Sequence, residues 1–406
     1  MKLLYIADGR SPTALNWIGH FIQGGHEVHL VSTYQCESVP GLASMQIVPV
    51  GLSEFYSPPN PRRRSTWSML RKILPVELRT RIRQLAAPFS LPRAASRVNR
   101  VIERVQPDLI HAMRIPYEGM LAAECLEKIG RNAYQPHYPL LISVWGNDFT
   151  LHARSTTAIL SYTHRALRAA SGLHTDCQRD QRLALEMGFE AAKPNIVLPG
   201  GGGVQMDIFH PRGRKRDDEG DANAPVSIIN PRGIRAYVRN DTIFRAIRLV
   251  AEKHPDVRII CPGMQDEAQA LQWAIQFCIM DKLELLPLQS HHQMARLFRR
   301  SQITLSITTH DGTPNTLLEA MACGCFPIAS DIESIREWIT PGENGLLVEP
   351  GDPEALAKAI LEAIGQPKLC RLARERNLKL IGERAEYGKC MKAADKFYKH
   401  LISRGA

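Results

Sequence analysis

The sequence predicts an α/β protein made of two doubly wound, mostly parallel sheets. Three observations predict it. Short apolar runs alternate with helix-period segments along nearly the whole chain, the pattern of strand–helix–strand crossovers. The alternation stops once, at Arg212–Pro225, and then starts again. A length of 406 residues suits two or three domains at roughly 100–200 residues each.

The elements follow in order. Lys2–Ala7, apolar from Leu3 onward, is the first expected strand. A helix through Leu15–Gln23 follows it and ends at Gly24 and Gly25, and His26–Ser32 is the next strand. Further strands are expected at Gln46–Val50, Asp108–His111, Leu140–Val144, Gly172–Thr175 and Asn195–Leu198. Helical patterns lie between them at Val98–Val105, Glu118–Lys128, Thr157–Ala170 and Gln178–Met187. Arg212–Pro225 is polar, charged and aperiodic, which marks a mobile loop near a domain boundary. The second series has strands at Val226–Asn230, Val257–Cys261, Leu283–Leu286, Ile303–Ile307, Phe326–Ala329 and Gly345–Val348. Its helices are Asp241–Lys253, Asp266–Phe277, His292–Arg300, Pro314–Cys323, Ser334–Ile339 and Pro353–Ile364, with one or two more from about residue 367. The expected division is 1–205, 206–385, and a terminal helix 386–406 returning toward the N-terminal domain. Ligands of open α/β sheets bind outside the carboxyl ends of the strands, so two such halves predict a cleft between them.

Composition excludes several classes. The apolar fraction is 44% and the charged fraction 23%, which argues against disorder or a collagen-like repeat. Nine scattered cysteines with no C-x-x-C pair argue for a reduced, cytoplasmic chain. The first apolar run is too short for a signal-peptide core, and no stretch approaches ~18 apolar residues. Clustered metal-ligand spacing is absent, so neither metal nor cofactor is expected. Gly200–Gly203 lacks the Gly-Lys-Ser/Thr of a phosphate loop, and the first strand is not followed by Gly-x-Gly-x-x-Gly.

The net charge of +10 is local. Residues 60–100, within an expected insertion at about 56–100, carry eleven basic side chains and one acid, Glu77. Trp67, Leu70, Ile73, Leu74, Leu78, Ile82 and Leu85 interleave at near-helical spacing. Such a stretch suits an anionic membrane surface. The alternative is a solvated insertion whose apolar face packs on its own domain. Nucleic acid is not expected as a partner.

Chemistry concentrates at Thr308–Gly324 (TTHDGTPNTLLEAMACG). Thr313 suits an N-cap, Pro314 the first helical position and Gly324 the stop. Backbone N–H groups at Gly312–Thr316, including Asn315, would form an anion site. Glu319 lies ~7.5 Å further along the axis, about the reach from a diphosphate to its ribose. Asp311 would be repelled by phosphate and would face hydroxyls of a transferred group.

This segment resembles the E-x7-E motif of retaining GT-B glycosyltransferases of family 4. Asp311 matches the first acid and Glu319 the second, and Leu318–Gly324 (LEAMACG) matches almost letter for letter. Phe326–Asp331 with Glu337, Gly342–Val348 and Pro350–Leu356 resemble the next blocks. Pro107–His111, Ser143–Asp148 and Val197–Pro211 resemble blocks of the N-terminal half. The resemblance implies two Rossmann-like domains and transfer from a nucleotide-diphosphate sugar, UDP favoured, to a glycan or lipid-linked acceptor with retention. It implies Arg232 on the diphosphate, with Arg235 or Arg239 in place of the family's Lys, and Gly263 and Gly312 beside the donor. Asp8, Ser11, Thr13, His111, Asn147 and Asp148 would line the acceptor side, Asp148 near the transferred sugar. Local pairing with Asp241 is the alternative for the arginines. A packed strand end is the alternative for His111, and a helix cap for Asp148. The rival activities are a nucleotide-sugar 2-epimerase and a non-catalytic basic membrane-binding module. The expected location is cytoplasmic, peripheral on the membrane if the basic segment docks there.

Overall fold

A computed structural model describes residues 1–53, 76–130, 138–212 and 226–405. It forms two units, Met1–Gly202 with Cys390–Ala406, and Gly203–Lys389. Each is a parallel sheet with helices on both faces, the Rossmann-like arrangement.

The first unit has seven strands: β1 (Lys2–Ala7), β2 (Glu27–Ser32), β3 (Ser44–Ile47), β4 (Leu109–Met113), β5 (Leu140–Val144), β6 (Gly172–Thr175) and β7 (Asn195–Val197). Their order is β3-β2-β1-β4-β5-β6-β7. Both faces are covered, so β1 is buried from Leu3 to Ala7 and reads as an unbroken apolar run. The third strand lies earlier than Gln46–Val50, because Val50 turns its N–H to Ser53 Oγ instead of the ladder.

The largest difference from expectation is one continuous helix at Val76–Val105, where the sequence pattern gave a helix at Val98–Val105 and a separate stretch of near-helical spacing up to Leu85. Pro88 and Pro92 lie inside it, and a proline removes one helical hydrogen bond, which masks the pattern. Ala87, Leu91, Ala94, Ala95, Val98, Val101 and Ile102 are buried in the core of the first unit. The apolar residues from Trp67 to Leu74 lie outside the described residues, as do the side chain of Leu78 and most of the expected loop at Arg212–Pro225.

The helix Tyr387–Gly405 joins the first unit through Tyr398. Tyr398 stacks on Phe21 with ring centroids 4.4 Å apart. A buried chain of hydrogen bonds starts at the Leu198 carbonyl, which can only accept. His174 Nε2 therefore donates to it at 2.9 Å, and His174 Nδ1 accepts from Ser143 Oγ at 2.8 Å. Ser143 in turn accepts from His111 Nε2 at 2.7 Å, and His111 Nδ1 accepts from Tyr398 Oη at 2.5 Å. Trp17 Nε1 and Tyr5 Oη complete the chain at Tyr398. Burial lowers both histidines, His174 to about 4, which keeps them neutral in this network.

The second unit has six strands: β8 (Ser227–Ile229), β9 (Arg258–Pro262), β10 (Leu283–Leu286), β11 (Ile303–Ser306), β12 (Phe326–Ser330) and β13 (Leu346–Val348). Their order, β10-β9-β8-β11-β12-β13, is the doubly wound order, with its topological switch between β8 and β11. The helices Asn240–Ala251 and Pro353–Gly365 pack on one face, burying Ile243, Phe244, Ile247, Leu356 and Ile360. The helices His291–Arg300 and Asn315–Ala322 cover the other face through Phe298, Leu318 and Met321.

Candidate functional site

The switch point of the second unit brings two loops together. The loop after β8 carries Arg232, Arg235 and Arg239, and the loop after β11 carries Asp311, Gly312 and Thr313. They are stitched by the antiparallel bridge Val238–Thr308 and by Thr309 N–H donating to Tyr237 O at 2.9 Å. Asn230 fixes the first loop, donating from Nδ2 to Asn240 Oδ1, while Asn240 Nδ2 holds Gly233 O. Gly233 and Gly263 take φ of +64° and +76°, conformations open to glycine. A Cβ on Gly233 would lie 3.8 Å from Gly263 O, so the turns after β8 and β9 are neighbours.

Arg232 and Asp311 meet in this junction. Arg232 Nη1 donates to Asp311 Oδ2 at 2.6 Å, with side chains only 10% and 13% exposed. Burial works against the Arg232 charge, but Asp311 and Tyr237 more than offset it, so its pKa stands above the ordinary value. Ser334 Oγ fixes the Asp311 carbonyl at 2.6 Å. Arg235 is exposed and donates from Nε to Arg232 O. Arg239 takes its local alternative, donating from two nitrogens to the Asp241 carboxylate. Of the two arginines that could replace the family's Lys, Arg239 is thus the one held in a local ion pair.

Thr313 is not the N-cap. The cap is Pro314, and the helix runs Asn315–Ala322. Thr313 Oγ1 instead accepts from Trp338 Nε1 at 3.0 Å, which locks the loop leading into the helix. The first helical hydrogen bonds run from the N–H groups of Leu317 and Leu318 to Pro314 O. The N–H groups of Asn315 and Thr316 therefore precede the ladder. Glu319 follows one turn later. Its carboxylate makes no hydrogen bond or ion pair among the described residues, and burial pushes its pKa up to about 7. Thr316, three residues before it on the same face, has a buried Oγ1 with no partner. Sequence reading passed over Thr316; its i,i+3 spacing to Glu319 was the available signal.

The first unit offers a polar edge at the carboxyl ends of β1, β4 and β5. Ser11 caps the helix Pro12–Gln23 by accepting from Ala14 N–H, and Thr13 lies in its first turn. Asp8 accepts from Arg10 through both carboxylate oxygens. Asn147 Oδ1 accepts from Arg114 at 2.9 Å.

Two expected acceptor-side residues are corrected. His111 is fully buried inside the hydrogen-bond chain described above. Asp148 is also fully buried: Arg114 pairs with it at 2.7 Å, and the N–H groups of Trp145 and Ile115 donate to its other oxygen. It fixes the loops after β4 and β5 and presents no free oxygen. Another residue passed over is Glu118, which the sequence pattern set at the start of a helix and which is buried behind that edge.

Asp176, Cys177 and Asp180 cluster within 4.8 Å. Asp180 already pairs with Arg179, and Asp176 accepts from Gly146 N–H. These contacts tie the loop after β5 to the segment that follows β6.

Comparison with known proteins places the chain in context. The profile of Glycosyl transferases group 1 matches residues 214–379, and that of the Glycosyl transferase 4-like domain matches residues 9–200. EpsD of Bacillus subtilis, named as a glycosyltransferase, is 23% identical over 289 residues, 68% of this chain and 72% of EpsD. The D-inositol 3-phosphate glycosyltransferase of Mycobacteroides abscessus is 27% identical over 201 residues, 47% of this chain and 43% of that protein. Among solved structures, sucrose-phosphate synthase of Thermosynechococcus elongatus superposes with a TM-score of 0.74 at 14% identity, covering 100% of both chains. Anabaena HepE in complex with UDP superposes at 0.71 and 16% identity, covering 98% of this chain and 100% of HepE. At such identities the likeness is one of fold.

Proposed function

Because the chain belongs to the group 1, family 4-like glycosyltransferases, we propose that it moves a sugar from a nucleotide diphosphate, UDP favoured, to a glycan or lipid-linked acceptor with retention at the anomeric carbon. The observation that carries this reading is the junction at β8 and β11. It sets a buried arginine, an acid, a helix N-terminus and an unpartnered carboxylate in one loop pair.

Each group answers one demand of the reaction. Negative charge grows on the leaving diphosphate as the glycosidic bond breaks. Arg232 and the N–H groups of Asn315 and Thr316 are preorganised to receive it. Asp311, held on Arg232, accepts hydrogen bonds from sugar hydroxyls. Glu319 accepts from the ribose hydroxyls, with the Thr316 hydroxyl beside it. In a retaining transfer the acceptor hydroxyl enters on the face the diphosphate leaves, and its proton passes to the departing phosphate oxygen. The likeness to HepE, which is seen with UDP bound, supports a nucleotide donor. Arg239 and Asp148 are left out of the site for the reasons given above.

A thermal-shift panel with UDP, GDP, ADP, CMP and dTDP tests the donor. A ligand at ~100 times its Kd adds about 2.7 kcal/mol, which at roughly 2–4 °C per kcal/mol gives a rise of several degrees. UDP is expected to give it. No shift with any nucleotide would overturn the reading. Conversion of the UDP-sugar to its epimer without acceptor would replace transferase by epimerase.

The acceptor reading includes a membrane surface. No helix of the described residues is long and apolar enough to cross a membrane. On the helix Val76–Val105, however, Ile82, Leu85 and Phe89 are exposed, Phe89 by 85%. Arg81, Arg93, Arg97 and Arg100 share the open side, with no acid between residues 81 and 100. Such a face suits an anionic bilayer. Sedimentation with phosphatidylglycerol vesicles is expected to pull down the protein, and Leu85→Ser with Phe89→Ser to release most of it. Equal binding by the double variant would remove this face from the membrane.

A further inference from the structure

The loop after β11 is gripped at two points by one short segment of the second unit. Ser334 Oγ donates to the Asp311 carbonyl at 2.6 Å, and Trp338 Nε1 donates to Thr313 Oγ1 at 3.0 Å. Between these points lies Gly312, whose N–H turns to Asp311 Oδ1 at 3.2 Å. Thr313 is buried, and its hydroxyl oxygen takes this partner from 25 residues away.

Trp338 is itself held on its ring and on its backbone. The indole is buried under Arg384, whose guanidinium lies 4.4 Å from the ring centroid. Arg384 Nη1 also donates to Glu337 O at 2.7 Å, which anchors the cation beside the ring. The Trp338 carbonyl accepts from Asn344 Nδ2 at 2.9 Å. Asn344 is locked in turn on Asn377, to whose Oδ1 it donates and whose Nδ2 donates to its carbonyl, both at 2.9 Å. The direction of the indole N–H is therefore set by the turn between β12 and β13 and by the helix Pro367–Arg384. Neither carries a group assigned above to the donor.

A buried indole N–H needs an acceptor, and any core carbonyl would serve. Here the acceptor stands two residues before Asn315, whose N–H and that of Thr316 precede the helical ladder. Only Pro314 intervenes, and its ring fixes φ, observed at −72°. Little backbone freedom separates the Thr313 hydroxyl from those N–H groups. Donors held in place before the ligand arrives spend nothing on reorganisation.

We propose that Trp338 is a positioning residue: through Thr313 and Pro314 it aims the N–H groups of Asn315 and Thr316 at the diphosphate, without touching the ligand. The proposal rests on reading this junction as the diphosphate site.

Titrations with UDP, uridine and inorganic pyrophosphate test it. Trp338→Phe keeps a ring under Arg384 and removes the N–H, while Thr313→Val keeps the shape and removes the acceptor. Each is expected to weaken UDP and pyrophosphate about fivefold, the scale of one neutral hydrogen bond, and to leave uridine unchanged. The double variant should lose no more than either single one, because both remove the same bond. Thr313→Ser keeps the oxygen and should recover most of the loss. The Trp338 indole N–H resonance, assigned by its absence from Trp338→Phe, should shift when pyrophosphate is added to the wild type and stay in place with uridine. Equal weakening of UDP and uridine would leave Trp338 a packing residue and overturn the proposal, as would additive losses in the double variant. Wild-type protein that prefers UDP to uridine, with the preference intact in both single variants, sinks the positioning role alone. Wild-type protein that binds none of the three probes sinks the diphosphate reading and the proposal with it.

Discussion

Glu319→Ala is expected to weaken UDP, UMP and uridine by a common factor of about ten to a hundred. Hydrogen bonds to a charged group contribute roughly 1.5–3 kcal/mol, and the common factor follows because the ribose is shared by all three ligands. The same substitution should stabilise the unliganded protein above pH 7. Burial raises the Glu319 pKa to about 7, against an ordinary carboxyl near 4.5. Folding is therefore penalised as pH rises from the ordinary value through 7, and the penalty is full above that. Removing the carboxyl removes the penalty. Weaker binding in a more heat-stable protein cannot be ascribed to unfolding.

The ionised form accepts hydrogen bonds from ribose, so uridine affinity should rise between pH 6 and 8. Uridine carries no phosphate to titrate, which isolates the carboxyl. A flat uridine profile, or Glu319→Ala binding uridine as the wild type does, would take Glu319 out of the donor site.

Arg232→Lys should produce a different pattern. Its expected effect is loss of the preference for UDP over UMP, again by about ten- to a hundredfold, with uridine unchanged. Lysine keeps the charge but lacks the fork that reaches Asp311 and a phosphate together. UDP release from a UDP-sugar that the wild type turns over should fall by about a hundredfold or more, as when a preorganised charge-stabilising donor is removed. Arg232→Ala is the harsher variant, because it strands Asp311 at 13% exposure without its cation. Adding Asp311→Asn should recover much of the lost stability and none of the UDP preference. If Arg232→Lys keeps the UDP-over-UMP ratio within twofold, Arg232 serves only as the partner of Asp311.

The two variants separate what one loop pair combines. Under the proposed function Glu319 would read the nucleoside and Arg232 the diphosphate. A ligand series with a common nucleoside tells them apart without any knowledge of the acceptor.

Much of this protein was legible before folding. A parallel strand covered on both faces must be apolar throughout, so runs such as Lys2–Ala7, Leu140–Val144 and Phe326–Ser330 declare themselves. The loop and helix after β11 were legible because their residues are neighbours along the chain. Asp311 and Glu319 lie on one loop and the helix it opens, and their spacing survives in any fold that keeps that helix.

Folding decided the rest, because those questions turn on which distant groups arrive. Arg239 and Asp241 could be foreseen as a pair from two-residue spacing, but Arg232 with Asp311 joins loops 79 residues apart. The sequence pattern set His111 at a strand end and Asp148 just beyond one, where ligands often bind, and could not know that Tyr398 and Arg114 would claim them. Two prolines hid the helix Val76–Val105, whose burial is set by tertiary packing and not by helix propensity. By itself the sequence determined the strand–helix alternation, the two halves and the spacing of Asp311 to Glu319, since each rests on neighbours along the chain. Only the tertiary structure decided which charges are neutralised and which stand open, because a partner within 3 Å stabilises or blocks a side chain wherever it comes from in sequence.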